Sequence, residues 1–409
     1  MPKHRRIPEV LAPAGDRERL EAAVLYGADA VYLGGLQFGM RASSASFGPE
    51  ALRDAVGFAH ANGVRVYLTC NTLPRNSELE ELPEFLRTAR DCGVDALIVT
   101  DIGVLAAAKR IVPELELHIS TQAGIVNYAA AAEFYRMGAK RVVLARELSL
   151  EEIAEIREHT PPELELEVFV HGAMCVSFSG RCLLSNYLTG RDANRGECAQ
   201  PCRWSYHLTE EKRPGEHFPI FEDEQGTYIL NAKDLCLIEH IDKLIRAGVT
   251  SLKIEGRAKS SYYVSVVTNA YRRAVDDYLR DPAGYRAAPW LLEEVRKVSH
   301  RQYSTGFLFG RPEAGQYYEN SGYQRSYEVV GIADGWEEGR LLLTQRNRFS
   351  AGDRLEVLEP GCAPFELTAE GIVDSAGEPV EVACHPMERV RILCGRPVKK
   401  GAILRRESK

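Results

Sequence analysis

Long hydrophobic runs are absent from this sequence of 409 residues. No stretch of about eighteen uncharged apolar residues occurs, so we expect no membrane-spanning helix. Positive charge is also scarce, because 51 Lys and Arg stand against 58 Asp and Glu and give a net charge of −7. That balance excludes a strong overall basic field for nucleic acid or membranes. Any contact with RNA must therefore use a local basic patch.

Several familiar catalytic motifs are missing as well. The sequence has no P-loop, no G-x-G-x-x-G, no H-E-x-x-H zinc-protease helix and no G-x-S-x-G elbow. The N-terminal stretch MPKHRRIPEVLAPAGDRERL has no apolar segment after its basic cluster, so we expect no signal peptide and a cytoplasmic location. Thiols stay reduced in that compartment, where clustered cysteines are more typical of metal ligands or reactive groups than of disulfides.

Short apolar runs are what the first two thirds of the sequence do contain. Amphipathic segments that end in glycine separate most of these runs, which is typical of parallel strands alternating with helices. The predicted strands are Ile7–Ala12, Ala30–Gly35, Val64–Asn71, Ala96–Asp101, Leu115–Gln122, Arg141–Glu147, Leu164–Gly172 and Ser251–Arg257. Eight such strands favour a TIM-type (β/α)8-like barrel, of the α/β class, over a doubly wound open sheet.

The spacing of these runs also predicts the domain boundaries. Residues 1–300 form the barrel-like catalytic domain, and a long gap between the last two strands predicts a cysteine-bearing insertion at residues 172–230. The insertion leads into a predicted helix at Asp234–Ala247. A linker at residues 301–326 precedes a small all-β barrel domain at residues 327–409, where short strands alternate with turn signals.

The insertion concentrates thiols. Its cysteines have the spacing Cys175-x6-Cys182-x15-Cys198-x3-Cys202, and Cys236 follows near the predicted return to the barrel. Four thiolates suffice for a [4Fe–4S] cluster or for a structural zinc ion. The long gaps favour a cluster over zinc, which prefers close cysteine pairs, while free or catalytic thiols form a third alternative. Active sites of such barrels lie at the C-terminal ends of the strands, where this insertion begins.

Three segments together resemble the collagenase-like peptidase family 32 of unknown catalytic type. They are EVLAPAGDRERLEAAVLYGADAVYLGG, HGAMCVSFSGRCLLSNYLTGRDANRGECAQPCRW and SLKIEGR. Within that family the RDANRGECAQPCRW segment and the C-terminal β domain are most similar to bacterial tRNA hydroxylation proteins. That resemblance implies oxygen-independent formation of 5-hydroxyuridine at the tRNA wobble position, linked to prephenate. Sister groups hydroxylate ribosomal RNA or quinone precursors.

The resemblance also implies a [4Fe–4S] cluster held by Cys175, Cys182, Cys198 and Cys236, with Cys202 as an alternative fourth ligand. It implies three partners: a tRNA anticodon loop, iron–sulfur assembly proteins and a paralogous partner protein. Prephenate is the implied co-substrate. A collagenase-like cysteine or metal protease and a non-catalytic RNA-binding scaffold remain alternatives, although the sequence contains no complete proteolytic constellation.

Polar residues at the predicted strand ends complete the expected site, alongside basic and aromatic residues beside the cysteines that could grip phosphates and stack on bases. The alternative interpretation of the basic and aromatic residues is a loop that packs on its own aromatic side chains. The alternative for the strand-end residues is that they are polar because they lie in solvated loops. We expect His171, Glu255 and Arg257 to be catalytic. The residues expected to bind substrate are Asn71, Gln122, Arg146, Arg191 and Arg195.

Overall fold

A computed structural model describes residues 7–40, 46–175, 182–201, 221–223, 226–228, 233–310 and 324–408. The first strands are β1 (Glu9–Pro13), β2 (Ala30–Gly34), β3 (Arg65–Cys70), β4 (Ala96–Val99), β5 (Glu116–Ile119), β6 (Arg141–Val143) and β7 (Glu165–Gly172). Five more follow, namely β8 (Phe221–Asp223), β9 (Gly226–Tyr228), β10 (Asp234–Cys236), β11 (Ser251–Ile254) and β12 (Tyr303–Ser304).

The parallel strands close into a barrel. Strands β1 to β7 pair in chain order, and β11 pairs in parallel with both β7 and β1, so the sheet has no free edge there. The prediction of an eight-stranded TIM-type barrel is confirmed. The strands form because their apolar residues are buried, some inside the barrel and others under the surrounding helices.

Helices cover the outside of the barrel. They are α1 (Arg17–Leu25), α2 (Pro49–Ala61), α3 (Leu82–Asp91), α4 (Ile102–Ile111), α5 (Tyr128–Arg136), α6 (Leu150–Glu158), α8 (Ile241–Arg246), α9 (Ser261–Arg280) and α10 (Pro289–Val295), whereas α7 (Leu184–Thr189) belongs to the cysteine-bearing insertion. The side chains of Asp101 and Ser149 cap α4 and α6 by accepting backbone N–H bonds. No helix in the described ranges is long and apolar enough to cross a membrane.

One predicted helix is wrong at its start. Asp234–Cys236 is strand β10, which runs antiparallel to the end of β7, and the helix begins only at Ile241. Strand β12 lies within the predicted linker and pairs with β10. These pairings extend the sheet beyond the barrel at its C-terminal mouth. Local periodicity could not reveal this strand, because long-range pairing forms it.

The C-terminal domain is all-β, as predicted. Its strands are β13 (Tyr327–Glu337), β14 (Arg340–Gln345), β15 (Phe349–Ser350), β16 (Arg354–Leu358), β17 (Phe365–Thr368), β18 (Val382–Ala383), β19 (Arg389–Leu393) and β20 (Ile403–Glu407). Six of them form one curled antiparallel sheet in the order β17-β16-β20-β13-β14-β19, and β15 pairs with β18. The sheet has its own apolar core and packs against the barrel helices.

Candidate active site at the barrel mouth

The end of β7 brings His171 and Cys236 together. In the antiparallel pairing of β7 with β10, Cys236 lies opposite His171 and Leu235 lies opposite Gly172. The backbone N–H of Glu255 donates to the carbonyl of His171 at 2.9 Å, which joins the end of β11 to the same point. Three predicted site residues, distant in sequence, therefore meet at the C-terminal mouth of the barrel.

The His171 side chain is buried at this junction and is 1% exposed. Its Nδ1 lies 3.4 Å from the hydroxyl of Tyr271 and its Nε2 lies 3.3 Å from the hydroxyl of Tyr303. Burial, with smaller effects from His300 and Lys259, lowers the pKa of His171 to about 3. The imidazole is therefore neutral at physiological pH, and both nitrogens face tyrosines.

The predicted cluster ligands differ in exposure. Cys175 and Cys198 are exposed, Cys182 is half-buried and Cys236 is buried, all as free thiols, whereas Cys202 lies outside the described residues. Over the part of the chain that the structure describes, no three His, Cys, Asp or Glu side chains form a metal-binding group. The cluster therefore stays a prediction.

Cys236 is a buried thiol at the end of β10. Burial raises its pKa to about 12, while hydrogen bonds with the Ile238 backbone N–H and the Tyr271 hydroxyl act in the opposite direction. Such a thiol keeps its proton until a metal displaces it. Thiols are the donors that an iron–sulfur cluster takes, so the donor type fits the predicted cluster.

Arg257 lies at the mouth after β11, with only 3% of its surface exposed. Its Nη1 donates to Thr69 Oγ1 at 3.1 Å, which ties it to the end of β3. The guanidinium also lies against Gly34, where an added Cβ would stand 2.6 Å from Nη2. The glycine at the end of β2 thus leaves room for the arginine, which places a fixed positive charge at the mouth.

Asn71 and Gln122 form a second polar pair beyond β3 and β5. The Asn71 side-chain amide donates to Gln122 Oε1 at 2.8 Å, and Asn71 Oδ1 accepts from the backbone N–H of Met40 at 3.1 Å. Gln122 also contacts the Met40 sulfur. These contacts position two of the five predicted substrate-binding side chains in one network.

Arg146 lies close to Glu255. Its Nη1 donates to the carbonyl of Ala173 at 2.7 Å, and its guanidinium stacks over the Phe169 ring at 4.0 Å. Arg146 Nη2 is 3.8 Å from Glu255 Oε2, and both side chains are about nine-tenths buried. The arginine therefore connects the ends of β6 and β7 with the carboxylate that follows β11.

The two arginines of the insertion differ. Arg191 is exposed beyond α7, whereas Arg195 forms an ion pair with Glu78 through Nη2 and Oε2 at 2.7 Å. The hydrogen bond from Arg195 lowers the pKa of Glu78 to about 2. Asn194 adds hydrogen bonds to the backbone of Leu73, so this part of the insertion is held against the loop after β3. Of the two arginines, Arg191 can contact a phosphate without first breaking an ion pair.

Sequence reasoning missed Tyr271 and Tyr303. Tyr271 comes from α9 and Tyr303 from β12, and both meet His171 at ring-centroid distances of 5.6 and 5.2 Å. No motif surrounds either tyrosine. The one available signal is the apolar periodicity of the segment that forms α9, which indicates that Tyr271 is buried but not what it contacts.

Comparisons with known proteins cover both domains. Peptidase family U32 matches residues 15–317, and the Peptidase family U32 C-terminal domain matches residues 325–405. The tRNA hydroxylation protein P1 of Bacillus subtilis is 38% identical over 402 residues, which cover 98% of this chain and 94% of that protein. The tRNA hydroxylation protein P of Escherichia coli is also 38% identical and covers 92% of this chain and 91% of its own length.

A third relative matches a smaller part of the chain. The 23S rRNA 5-hydroxycytidine C2501 synthase of Escherichia coli is 37% identical over 74% of this chain, but the match spans 45% of that protein. The resemblance read from the three sequence segments is thus confirmed across the barrel and the β domain. The chain belongs to peptidase family U32.

Proposed function

We propose that this protein is an RNA hydroxylase that acts on tRNA and converts the wobble uridine to 5-hydroxyuridine. The observation that carries the proposal is the similarity to tRNA hydroxylation proteins along nearly the whole of both chains. The ribosomal RNA enzyme supports hydroxylation as the chemistry, but its match leaves more than half of that enzyme uncovered. A tRNA substrate is therefore the better-supported one.

The proposed reaction is independent of oxygen, linked to prephenate and dependent on a [4Fe–4S] cluster. Cys175, Cys182, Cys198 and Cys236 would hold the cluster, with Cys202 as the alternative to Cys236. When bound, such a cluster supplies one-electron transfer. The buried setting of Cys236 beside the mouth supports its place in this set.

The substrate would enter at the barrel mouth. A tRNA anticodon loop is single-stranded, so one base can leave the stack and reach a pocket. Arg257 would pair with a carboxylate such as that of prephenate, since a guanidinium binds carboxylates in bidentate fashion. Arg191 would contact backbone phosphates, and such contacts make tRNA binding sensitive to salt.

The protease alternative has less support from the site. Both nitrogens of His171 face tyrosine hydroxyls, so this histidine is not placed to activate the thiol of Cys175. The further proposed partners are iron–sulfur assembly proteins, which would load the cluster, and a paralogous protein.

Cysteine variants test the proposal. Anaerobically prepared protein should absorb at about 400 nm and hold about four irons per chain. Changing Cys175, Cys182 or Cys198 to Ala should abolish both the iron and the rescue of 5-hydroxyuridine in a deletion strain, measured by nucleoside mass spectrometry. Cys236→Ala and Cys202→Ala decide the fourth ligand, since one should lose the cluster and the other should keep it.

The matched control is Cys384→Ala, which removes an exposed thiol of the β domain. It should keep wild-type iron and wild-type modification. A colourless wild-type protein that holds one zinc after anaerobic reconstitution would contradict the cluster. Unchanged 5-hydroxyuridine in a strain lacking this protein and every related chain would contradict the tRNA assignment.

A further inference from the structure

Strands β14 and β19, at one end of the β-domain sheet, share an outer face that carries arginines and no carboxylate. The two strands pair in antiparallel register, with Arg391 opposite Leu342 and Arg389 opposite Thr344. The residues that alternate with these are buried in the domain's own core, namely Leu341, Leu343, Val390 and Ile392. Because successive residues of a strand point to opposite faces, Arg340, Arg389 and Arg391 lie together on the outer face.

The positive charge at this end of the sheet is accessible and uncompensated. Arg389 and Arg391 are exposed, and exposed Arg346 follows directly after β14. Arg340 is half-buried, and its Nη1 donates to the carbonyl oxygen of Gly371 at 2.8 Å, which is a neutral partner. None of these four arginines forms an ion pair within the described residues. Their charges are therefore available to an anion from outside the chain.

Arginines elsewhere in the same domain have acidic partners. Three of them pair with carboxylates at 2.6 to 2.8 Å, namely Arg396, Arg405 and Arg406. Acidic residues border the arginine face on the β13 side, where Glu337 lies opposite Arg340 and Asp334 accepts a hydrogen bond from Thr344. Charges on an edge strand also prevent pairing with another chain, and β19 ends the sheet. That role does not account for Arg340, because β14 is an inner strand.

Guanidinium groups without an acidic partner suit phosphate oxygens, since arginine donates two parallel hydrogen bonds to a phosphate. Arg389 and Arg391 are two residues apart on β19, which separates them by about 7 Å along the strand. They can therefore contact different phosphates of one polyanion. A chain with a net charge of −7 attracts such a polyanion only through a local basic patch, and this face is one.

We propose that the outer face of β14 and β19, with Arg340, Arg389 and Arg391, binds the phosphate backbone of RNA. The inference rests on the proposed function and adds to it a second contact with tRNA, on the β domain and apart from the barrel mouth. The barrel itself packs against other parts of this domain, through residues such as Leu358 of β16 and Ile403 of β20. The arginine face therefore lies beyond the strands that join the two domains.

The test measures the affinity of the full-length protein for an unmodified tRNA transcript at a series of salt concentrations. Arg389→Gln/Arg391→Gln should bind about tenfold more weakly near physiological salt. The slope of log affinity against log salt should fall by about 2, since each phosphate contact contributes about 1. Arg389→Lys/Arg391→Lys keeps both charges and should keep most of this slope. Thermal unfolding should be unchanged in both variants, because the two side chains are exposed.

The matched control compares Arg391→Gln with Arg354→Gln, which removes one exposed arginine from β16 on the other side of the sheet. Only Arg391→Gln should lower the slope, and equal losses in both variants would reduce the effect to net charge and overturn the inference. Wild-type affinity and slope in Arg389→Gln/Arg391→Gln would also overturn it and leave the proposed function standing. A wild-type protein that binds phosphatidylserine vesicles but no tRNA would overturn both.

Discussion

Glu167 carries a negative charge inside the barrel, on the third residue of β7. Lys253 Nζ donates to its Oε1 at 2.7 Å and Arg141 Nη1 donates to its Oε2 at 2.9 Å. Arg141 also pairs with Glu9 and Glu165, each at 2.7 Å. Burial raises the pKa of Glu167, but Lys253 and Arg141 outweigh it and lower the value to about 2. The interior of the barrel is therefore a network of paired charges.

This pKa predicts acid sensitivity. Because the folded value of about 2 lies below the unfolded value of 4.5, the folded chain binds fewer protons and gains stability above the unfolded pKa. That gain should be lost as the pH falls from about 5 toward 2. Glu167→Gln should flatten this dependence and cost about 3–5 kcal/mol at neutral pH, because Lys253 and Arg141 lose a charged partner.

Urea unfolding at a series of pH values measures both effects. Glu155→Gln is the control, since Glu155 is exposed on α6 and should retain the wild-type pH dependence. An acid slope for Glu167→Gln equal to that of the wild type would show that other carboxylates cause the loss of stability.

Strand β7 ends at a glycine whose conformation the site requires. Gly172 has φ of +110°, and an added Cβ would stand 2.5 Å from the carbonyl oxygen of Glu255. Gly172→Ala should therefore destabilise the protein by about 1–3 kcal/mol from backbone strain alone, and more from the contact with β11. It should also displace the start of the cysteine insertion.

For Gly57→Ala, in the same domain, we expect the opposite effect on stability. Gly57 lies in α2, and an added Cβ would meet nothing within 4 Å. This change should stabilise the helix by about 0.5–1 kcal/mol, since alanine is the better helix former. Thermal unfolding of the two variants checks the pair, and equal stabilities would contradict the strain at Gly172.

The barrel strands were predictable because each is a short apolar run between amphipathic segments. The paired strands β10 and β12 were not predictable from the sequence. A segment of three mixed polar and apolar residues, such as Asp234–Cys236, forms a strand only because the fold provides strands with which it can pair. The same reason hid Tyr271, whose contacts with Val170 and Leu237 join residues far apart in sequence. The cysteine motif and the strand-end residues, by contrast, were visible as local patterns.

The roles of several residues at the barrel mouth stay predictions. His171 stays a predicted catalytic residue, and its burial between tyrosines indicates that any contact with substrate needs a rearrangement. Arg257, Glu255 and Arg146 are at the mouth as expected, but their roles remain predictions. Sequence spacing located these residues because the C-terminal ends of parallel strands meet at one face of a barrel.

A buried arginine joins the two domains. Arg405 of β20 is fully buried and forms ion pairs with Glu294 of α10 at 2.6 Å and with Glu356 of β16 at 2.8 Å. Tyr26 of α1 adds a hydrogen bond from its hydroxyl to the carbonyl of Leu358 at 3.0 Å. These contacts fix the β domain against the barrel helices.

Arg405→Met should loosen this junction. The change leaves the carboxylates of Glu294 and Glu356 without their shared arginine, which should lower the free energy of unfolding by about 3–5 kcal/mol. We expect the calorimetric unfolding of the variant to begin at a lower temperature and to separate into two transitions. Arg396→Met is the control, because the Arg396–Glu359 pair at 2.6 Å has an arginine that is 54% exposed. One unshifted transition for Arg405→Met would contradict the coupling.

The pairing of His171 with Cys236 has a consequence for how this fold can vary. His171 and Cys236 flank the cysteine-bearing insertion and are direct neighbours across β7 and β10, so the segment between them starts and returns at one point. Closing a longer loop between fixed ends costs only about 0.6 kcal/mol for each doubling of its length. Insertions of different length can therefore be exchanged at this junction. Chimeric proteins that carry a relative's insertion on this barrel should be joined there.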